Sequence, residues 1–269
     1  MDFKYIDIHS HLNISPLSDD IEAVVSRMRE QGVATITVGT DLQYSKSAIE
    51  IAEKYSDIVL GATVGLHPND NIDEVFSALG GPASGWDKYL ELAKNPKVVA
   101  IGECGLDYFR TNDDETKKRQ KEVFRMHIDI AKEVGKPLMI HSRPSKGSMD
   151  AYNDALEILS EYEGLKANFH FYVGDLETTK RILQKEFTMS FDGPITFARE
   201  YDEVIRYIPI DMIHAETDAP FAAPVPYRGK TCEPWMVIEV VKKIAEIKGL
   251  SIEEVREALI QNAKRDFNI

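Results

Sequence analysis

Tyr5-Ile6-Asp7-Ile8-His9-Ser10-His11-Leu12-Asn13 opens the chain's first apolar run and empties it into a polar loop. An open, doubly wound α/β sheet normally carries a glycine-rich phosphate loop at this point, directly after its first strand. Here the loop is His9-Ser10-His11-Leu12-Asn13, with no glycine, so a closed barrel is the better expectation. Further along the chain, short β-branched runs alternate with longer stretches of helical period. Strands are expected at Tyr5 to His9, Thr35 to Val38, Ile58 to Leu66, Val98 to Glu103, Pro137 to His141, Lys166 to Phe171, Thr188 to Phe191 and Met212 to Glu216.

Helical patterns fill the intervals at Asp20 to Gln31, Gln43 to Tyr55, Asp114 to Val134, Asp150 to Tyr162 and Leu176 to Lys185, and close the chain at Pro234 to Ile247 and Ile252 to Phe267. Asp114, Asp150 and Ser251 fit N-cap positions, with Ser251 and Glu254 spaced as a capping box. Gly32, Gly135 and Gly249 fit helix stops. Eight strand-helix units in a chain of 269 residues match an α/β fold of the (β/α)8 TIM-barrel type, one domain spanning residues 1–269, with its site at the C-terminal ends of the strands. Ala78 to Trp86, holding Gly80, Gly81, Pro82 and Gly85, reads as a loop insertion.

Composition narrows the function. With 32 Lys+Arg against 45 Asp+Glu, the formal charge is −13, which argues against a broad basic surface for duplex nucleic acid. A polyanionic substrate would have to be held locally, by metal ions or a few clustered cations. Two cysteines, no basic-then-apolar start and no apolar run of spanning length make a cytoplasmic protein without a membrane role the expectation.

Strand alternation places Ile6 and Ile8 on one face and Asp7, His9 and His11 on the other. Two imidazoles on one face can grip a divalent metal, with Asp7 beneath them as an acceptor. The weight of this reading comes from the other polar residues. Glu103, His141, His170 and Asp218 each fall at or just past the end of an expected strand. His127, inside a helical pattern, and His214, inside a strand, read as structural. Cys104 is expected to face the helices if Glu103 faces the barrel interior. Of Phe169, Phe171 and Tyr172, alternation sends two into the core. Four imidazoles and two carboxylates exceed the needs of one catalytic metal, so two divalent ions fit better, with a carboxylate such as Glu103 able to bridge them.

The motifs His9-x-His11, Gly65-Leu66-His67-Pro68, Gly102-Glu103-Cys104-Gly105-Leu106-Asp107-Tyr108, His141-Ser142-Arg143, Phe169-His170 and Glu216-Thr217-Asp218-Ala219-Pro220 together resemble the TatD family of metal-dependent DNases, among the amidohydrolase-type barrels. The resemblance runs from residue 5 to the C-terminus. It implies that His9, His11, Glu103 and Asp218 hold one metal and that Glu103, His141 and His170 hold the second. It also implies a substrate-binding place for His67 and for the Pro226-Tyr227-Arg228-Gly229-Lys230 loop, with Arg228 and Lys230 beside the phosphate. Arg143 joins them in stabilising phosphoryl charge, and Asp107 and Glu216, like Asp7, stand behind the ligands. Asp218 would take the proton of a metal-activated water attacking phosphorus, with Glu103 and Asp218 as the catalytic carboxylates.

Phosphate chemistry in this family suggests Mg or Mn, while the histidine-rich donor set suits Zn, Co or Ni as well. The function this implies is a phosphodiesterase acting on single-stranded nucleic acid ends, working as a monomer. The same site could instead cleave a C–N or C–O bond of a small molecule, or bind metal as a scaffold without turnover.

Overall fold

Eight parallel strands follow one another around a single sheet in chain order: β1 (Tyr5–Ser10), β2 (Val33–Thr37), β3 (Val59–Val64), β4 (Val98–Asp107), β5 (Leu138–Arg143), β6 (Ala167–Phe169), β7 (Thr188–Phe191) and β8 (Ile213–Ala215). The computed structural model describes residues 3–70, 82–111 and 113–269. Each strand is followed by a helix: α1 (Ile21–Gln31), α2 (Leu42–Lys54), α3 (Pro82–Ala93), α4 (Asp114–Val134), α5 (Asp150–Leu159), α6 (Leu176–Leu183), α7 (Asp202–Tyr207) and α8 (Val237–Lys248), after which α9 (Ile252–Phe267) ends the fold. The architecture is the (β/α)8 TIM barrel that the strand count predicts. None of the described helices is long and apolar enough to cross a membrane.

Two helices were not foreseen. α3 begins at Pro82, inside the stretch read as a loop insertion; proline is well suited to a first helical turn, and Gly85 is tolerated within it. Gly80 and Gly81 of that stretch lie outside the described residues. α7 spans only six residues, too short for a periodic signal. Two of the three expected caps are shifted by one residue. Asp113, not Asp114, accepts the Thr116 backbone N–H at the start of α4. Asp150 is the first residue of α5 rather than its cap, and its carboxylate ties down Ser145 through that residue's N–H and hydroxyl. Ser251 and Glu254 form the expected capping box, and Gly32, Gly135 and Gly249 are left-handed at their helix ends.

Apolar packing falls into two layers. An outer cluster joins the strands to the helices and includes Val24, Ala48, Leu106, Phe124, Ile140 and Ile244. An inner one brings Ile6, Ile8, Ile36, Ala100 and Met139 together with Phe267. Residues of β1 and β5, on opposite sides of the barrel, meet only through its interior, so this layer fills the barrel below the mouth and Phe267 closes its lower end. Fully burying such side chains contributes about 1.5–3 kcal/mol each. Cys104 belongs to the outer cluster, as the alternation around Glu103 predicts, and both cysteines are buried and free.

Candidate metal centre

The seam between β8 and β1 is closed by residues just past the strands. Ser10 bridges Ala219 in parallel register, the Asp218 N–H donates to the His9 carbonyl at 2.9 Å, and the His11 N–H donates to the Ala219 carbonyl at 2.7 Å. This stitching sets the Asp218 side chain beside both imidazoles. Asp218 takes φ 54° and Phe171, the residue after His170, takes φ 46°. Left-handed backbone at two non-glycine strand ends is a local cost that surrounding structure must hold in place, a pattern concentrated at functional sites.

Alternation does not survive through β1. Its pairing with β2 shifts between Asp7 and Ser10, so Ile6 and Ile8 turn into the barrel while His9 and His11 still reach its mouth. Asp7 is buried against β8 instead of lying beneath the imidazole rings. Its carboxylate accepts from the backbone N–H of His9 at 3.1 Å and of Thr217 at 2.9 Å, and from the Thr217 hydroxyl at 2.6 Å.

On the far side of the mouth, β4 presses against β5. A Cβ at Gly102 would meet the Met139 carbonyl at 2.3 Å, and one at Gly105 would meet that of His141 at 2.1 Å. Only glycine permits this approach, and it brings Glu103 up to the end of β5.

Glu103 is the hub. Its Oε1 lies 2.8 Å from His141 Nδ1, 2.8 Å from His170 Nε2 and 3.3 Å from His67 Nε2; its Oε2 lies 3.5 Å from His9 Nε2 and 3.8 Å from His11 Nε2. Asp218 Oδ1 stands 3.2 Å from His11 Nε2 and 3.6 Å from His9 Nε2. All six residues expected as ligands therefore converge, and three overlapping groups have donor atoms close enough to share an ion: His9, Glu103 and His170; His9, His11 and Asp218; His67, Glu103 and His141.

The donor chemistry fits a divalent cation. His9 Nε2 and His11 Nε2 face each other at 3.3 Å, and His141 Nδ1 and His170 Nε2 at 3.4 Å. A neutral imidazole has one donor and one acceptor nitrogen, and a divalent cation at the centre of each pair would satisfy the lone pairs of both rings at once. Burial alone would push the Glu103 carboxyl up, but the imidazoles of His170 and His67 and hydrogen bonds with His141 and His170 hold it well below the usual carboxylate range. Burial likewise opposes ionisation of Asp218, and the hydrogen bond and charge of His11 outweigh it, again lowering the carboxyl. Both carboxylates are thus kept anionic in a buried place.

Behind this ring, Asp107 Oδ2 accepts from His141 Nε2 at 3.2 Å and from Asn69 Nδ2 at 2.7 Å. Glu216 Oε1 stands 3.5 Å from His170 Nδ1 and accepts the Phe171 N–H, while its Oε2 accepts from the Ser190 hydroxyl at 2.6 Å. The two histidines read as structural are held elsewhere. His127 bonds the Leu66 N–H and the Val123 carbonyl, and His214 bonds Asp266.

The cluster forms the floor of a cavity of about 840 Å³, which His67, Arg110, Arg143, Phe171 and Phe221 also line. Phe169 and Tyr172 are buried, leaving Phe171 as the one of the three at the cavity. Arg228 and Lys230 are exposed and do not line it; the Arg228 guanidinium lies over the Phe197 ring at 3.9 Å. Sequence reasoning passed over Asn69, Arg110 and Asp192. Asp192 directly follows β7, is buried, has Oδ2 unpartnered, and has its carboxyl pushed up by burial and by the charges of Glu216 and Asp218. Its place immediately after a strand was the available signal.

The chain matches the family described as TatD related DNase over residues 6–268. A Bacillus subtilis (strain 168) protein, the uncharacterized metal-dependent hydrolase YabD, is 41% identical over 269 residues, covering 98% of each chain. The uncharacterized metal-dependent hydrolase YcfH of Escherichia coli (strain K12) is 34% identical over 275 residues, covering 98% of this chain and 96% of its own. Among solved structures, the TatD homolog YJJV from Escherichia coli K12 superposes with a TM-score of 0.86 at 26% identity, covering 100% of both chains.

Proposed function

This chain belongs to the TatD related DNase family of metal-dependent hydrolases, and from that premise we propose that it is a phosphodiesterase that cleaves nucleotides from the ends of single-stranded nucleic acid. The observation that carries the reading is the position of Glu103, with one carboxylate oxygen toward His9 and His11 and the other toward His141 and His170. In this assignment His9, His11, Glu103 and Asp218 hold one divalent ion, Glu103, His141 and His170 hold a second, and Glu103 bridges. Such ions, Mg or Mn in use, supply positive charge against phosphoryl oxygens and acidify an attacking water.

The chain's own residues do the rest. Asp218, anionic and at the edge of the cavity, accepts the proton of the attacking water. Asp107 accepts a hydrogen bond from the His141 Nε2–H, which leaves the Nδ1 lone pair for the ion. The Arg143 guanidinium, at the cavity wall, meets charge developing on the phosphoryl oxygens, and His67 contacts the substrate from the opposite side of Glu103. The concave cavity of about 840 Å³ over the cluster suits a strand end better than an intact duplex.

The test is direct. Chelator-stripped protein is supplied with Mg²⁺ or Mn²⁺ and given 3′- or 5′-labelled single-stranded DNA, with Asp218→Ala as the control for contaminating nuclease. Metal-dependent and Asp218-dependent release of label is expected. DNA that survives under both metals would move the assignment to RNA or to small esters and amides.

A further inference from the structure

All three exposed phenylalanines among the described residues, Phe109, Phe197 and Phe221, lie on loops that follow strands at the barrel mouth, after β4, β7 and β8. Phe109 and Phe221 are 50% and 54% exposed, far beyond what a side chain of that size normally leaves in water. They sit on opposite sides of the mouth, since β4–β5 and β8–β1 are opposite seams of an eight-stranded barrel. Between them lies the Glu103 cluster; Phe221 lines its cavity, with its ring centroid 6.2 Å from that of His11.

Cations accompany these rings. The Arg143 guanidinium lies 4.1 Å from the Phe109 ring centroid, and Arg228 covers Phe197 in the same manner. Arg110, next in sequence to Phe109, lines the cavity as well. No carboxylate lies within ion-pair distance of Arg110, Arg143 or Arg228 among the described residues, in a chain whose net charge is −13. In so acidic a protein, two guanidiniums without acidic partners at one cavity, Arg110 and Arg143, imply an anionic occupant, and the exposed rings beside them imply an occupant with flat apolar faces.

We propose that Phe109 and Phe221 are base-stacking platforms on either side of the scissile phosphate, with Arg110 and Arg143 contacting the backbone, so that the mouth takes a single strand of nucleic acid by its bases as well as its phosphates. A π-face is common to every base, so platforms of this kind bind without sequence preference. The proposal rests on the phosphodiesterase reading above and adds the residues by which the strand is held.

The experiment compares binding of two fluorescein-labelled decamers by anisotropy, both with cleavage-resistant phosphorothioate linkages: one of thymidine, the other of abasic tetrahydrofuran residues. Wild-type protein is expected to favour the thymidine strand. Phe221→Ala and Phe109→Ala should each weaken thymidine binding by about 5- to 150-fold, the range that stacking one base on a ring supplies. Abasic binding should be unchanged, which also reports that the variants are folded. Phe221→Trp should keep the preference. Equal binding of the two decamers by wild type, or a preference intact in both alanine variants, overturns the proposal. A base preference lost in the variants of a protein that hydrolyses no nucleic acid would leave the platforms standing and remove the hydrolytic reading alone.

Discussion

Asp107 and His141 are joined at 3.2 Å through Oδ2 and Nε2, and the same imidazole turns Nδ1 to Glu103 at 2.8 Å. Because a neutral ring carries one proton, the Asp107 contact decides which nitrogen keeps its lone pair for a cation. The carboxylate is itself held: it accepts from Asn69 and from the backbone N–H groups of Phe109 and Arg110. Asp107→Asn retains the shape and loses the charge. It should weaken binding of one of two Mn²⁺ ions by about 10–100-fold, the usual cost of removing such a partner, and leave the other unaffected in a calorimetric titration. Two unchanged binding constants would show that Asp107 does not orient the ligand.

His127 offers a prediction independent of metal. Its Nε2 accepts the Leu66 N–H at 2.9 Å and its Nδ1 donates to the Val123 carbonyl at 2.9 Å, so the folded protein requires the neutral ring. Burial lowers its pKa to about 4, against a weaker opposing pull from Val123. The unfolded chain takes up a proton near pH 6.5 and the folded one does not, so this contribution is intact above that pH and is lost as the pH falls toward 4. The full loss is about 3 kcal/mol. His127→Gln, which cannot titrate, should show a smaller drop in urea midpoint between pH 7 and pH 5 than the wild type; parallel drops would rule out this histidine as the source.

How far the sequence could be read depended on whether a signal was local. The eight strands are legible as β-branched runs, and the residues at their ends follow, so Glu103, His141, His170 and Asp218 can be placed at strand ends from the sequence. The inward turn of Ile6 and Ile8 was not legible, because it arises from a register shift against β2, a property of the pairing rather than of either segment. For the same reason Asp7 could be seen to matter but not what it touches. α3 was hidden by a proline that starts a helix as readily as it breaks one. The family resemblance implies a place beside the phosphate for Arg228, whereas its loop sets it outside the cavity, over Phe197.

Asp7 and Thr217 supply a test of how the barrel is closed. The Thr217 hydroxyl donates to Asp7 Oδ2 at 2.6 Å, both residues are fully buried, and Asp218 follows next in the chain. Thr217→Val keeps the volume and strips the carboxylate of its strongest donor. Stability to urea should fall by about 1–3 kcal/mol, the cost of leaving a buried acceptor short of a partner. A change below about 0.5 kcal/mol, the ordinary scatter of a surface substitution, would mean that the β8–β1 seam does not depend on this bond.

Metal should stabilise the fold as well as equip it, because the cluster exists only when β1, β4, β5, β6 and β8 are assembled. A ligand that binds only the folded chain adds about 2.7 kcal/mol at a hundredfold excess over its Kd. At about 2–4 °C per kcal/mol for a chain of roughly this size, saturating Mn²⁺ should raise the Tm of chelator-stripped protein by about 5–10 °C. Glu103→Gln should abolish most of that rise, since Glu103 stands within ion-pair distance of His9, His11, His67, His141 and His170. Arg143→Ala should preserve it, because Arg143 touches the cavity wall and no member of the cluster by hydrogen bond or ion pair among the described residues. A melting temperature indifferent to Mn²⁺ in the wild type would contradict a metal centre at Glu103, whatever activity the protein displayed.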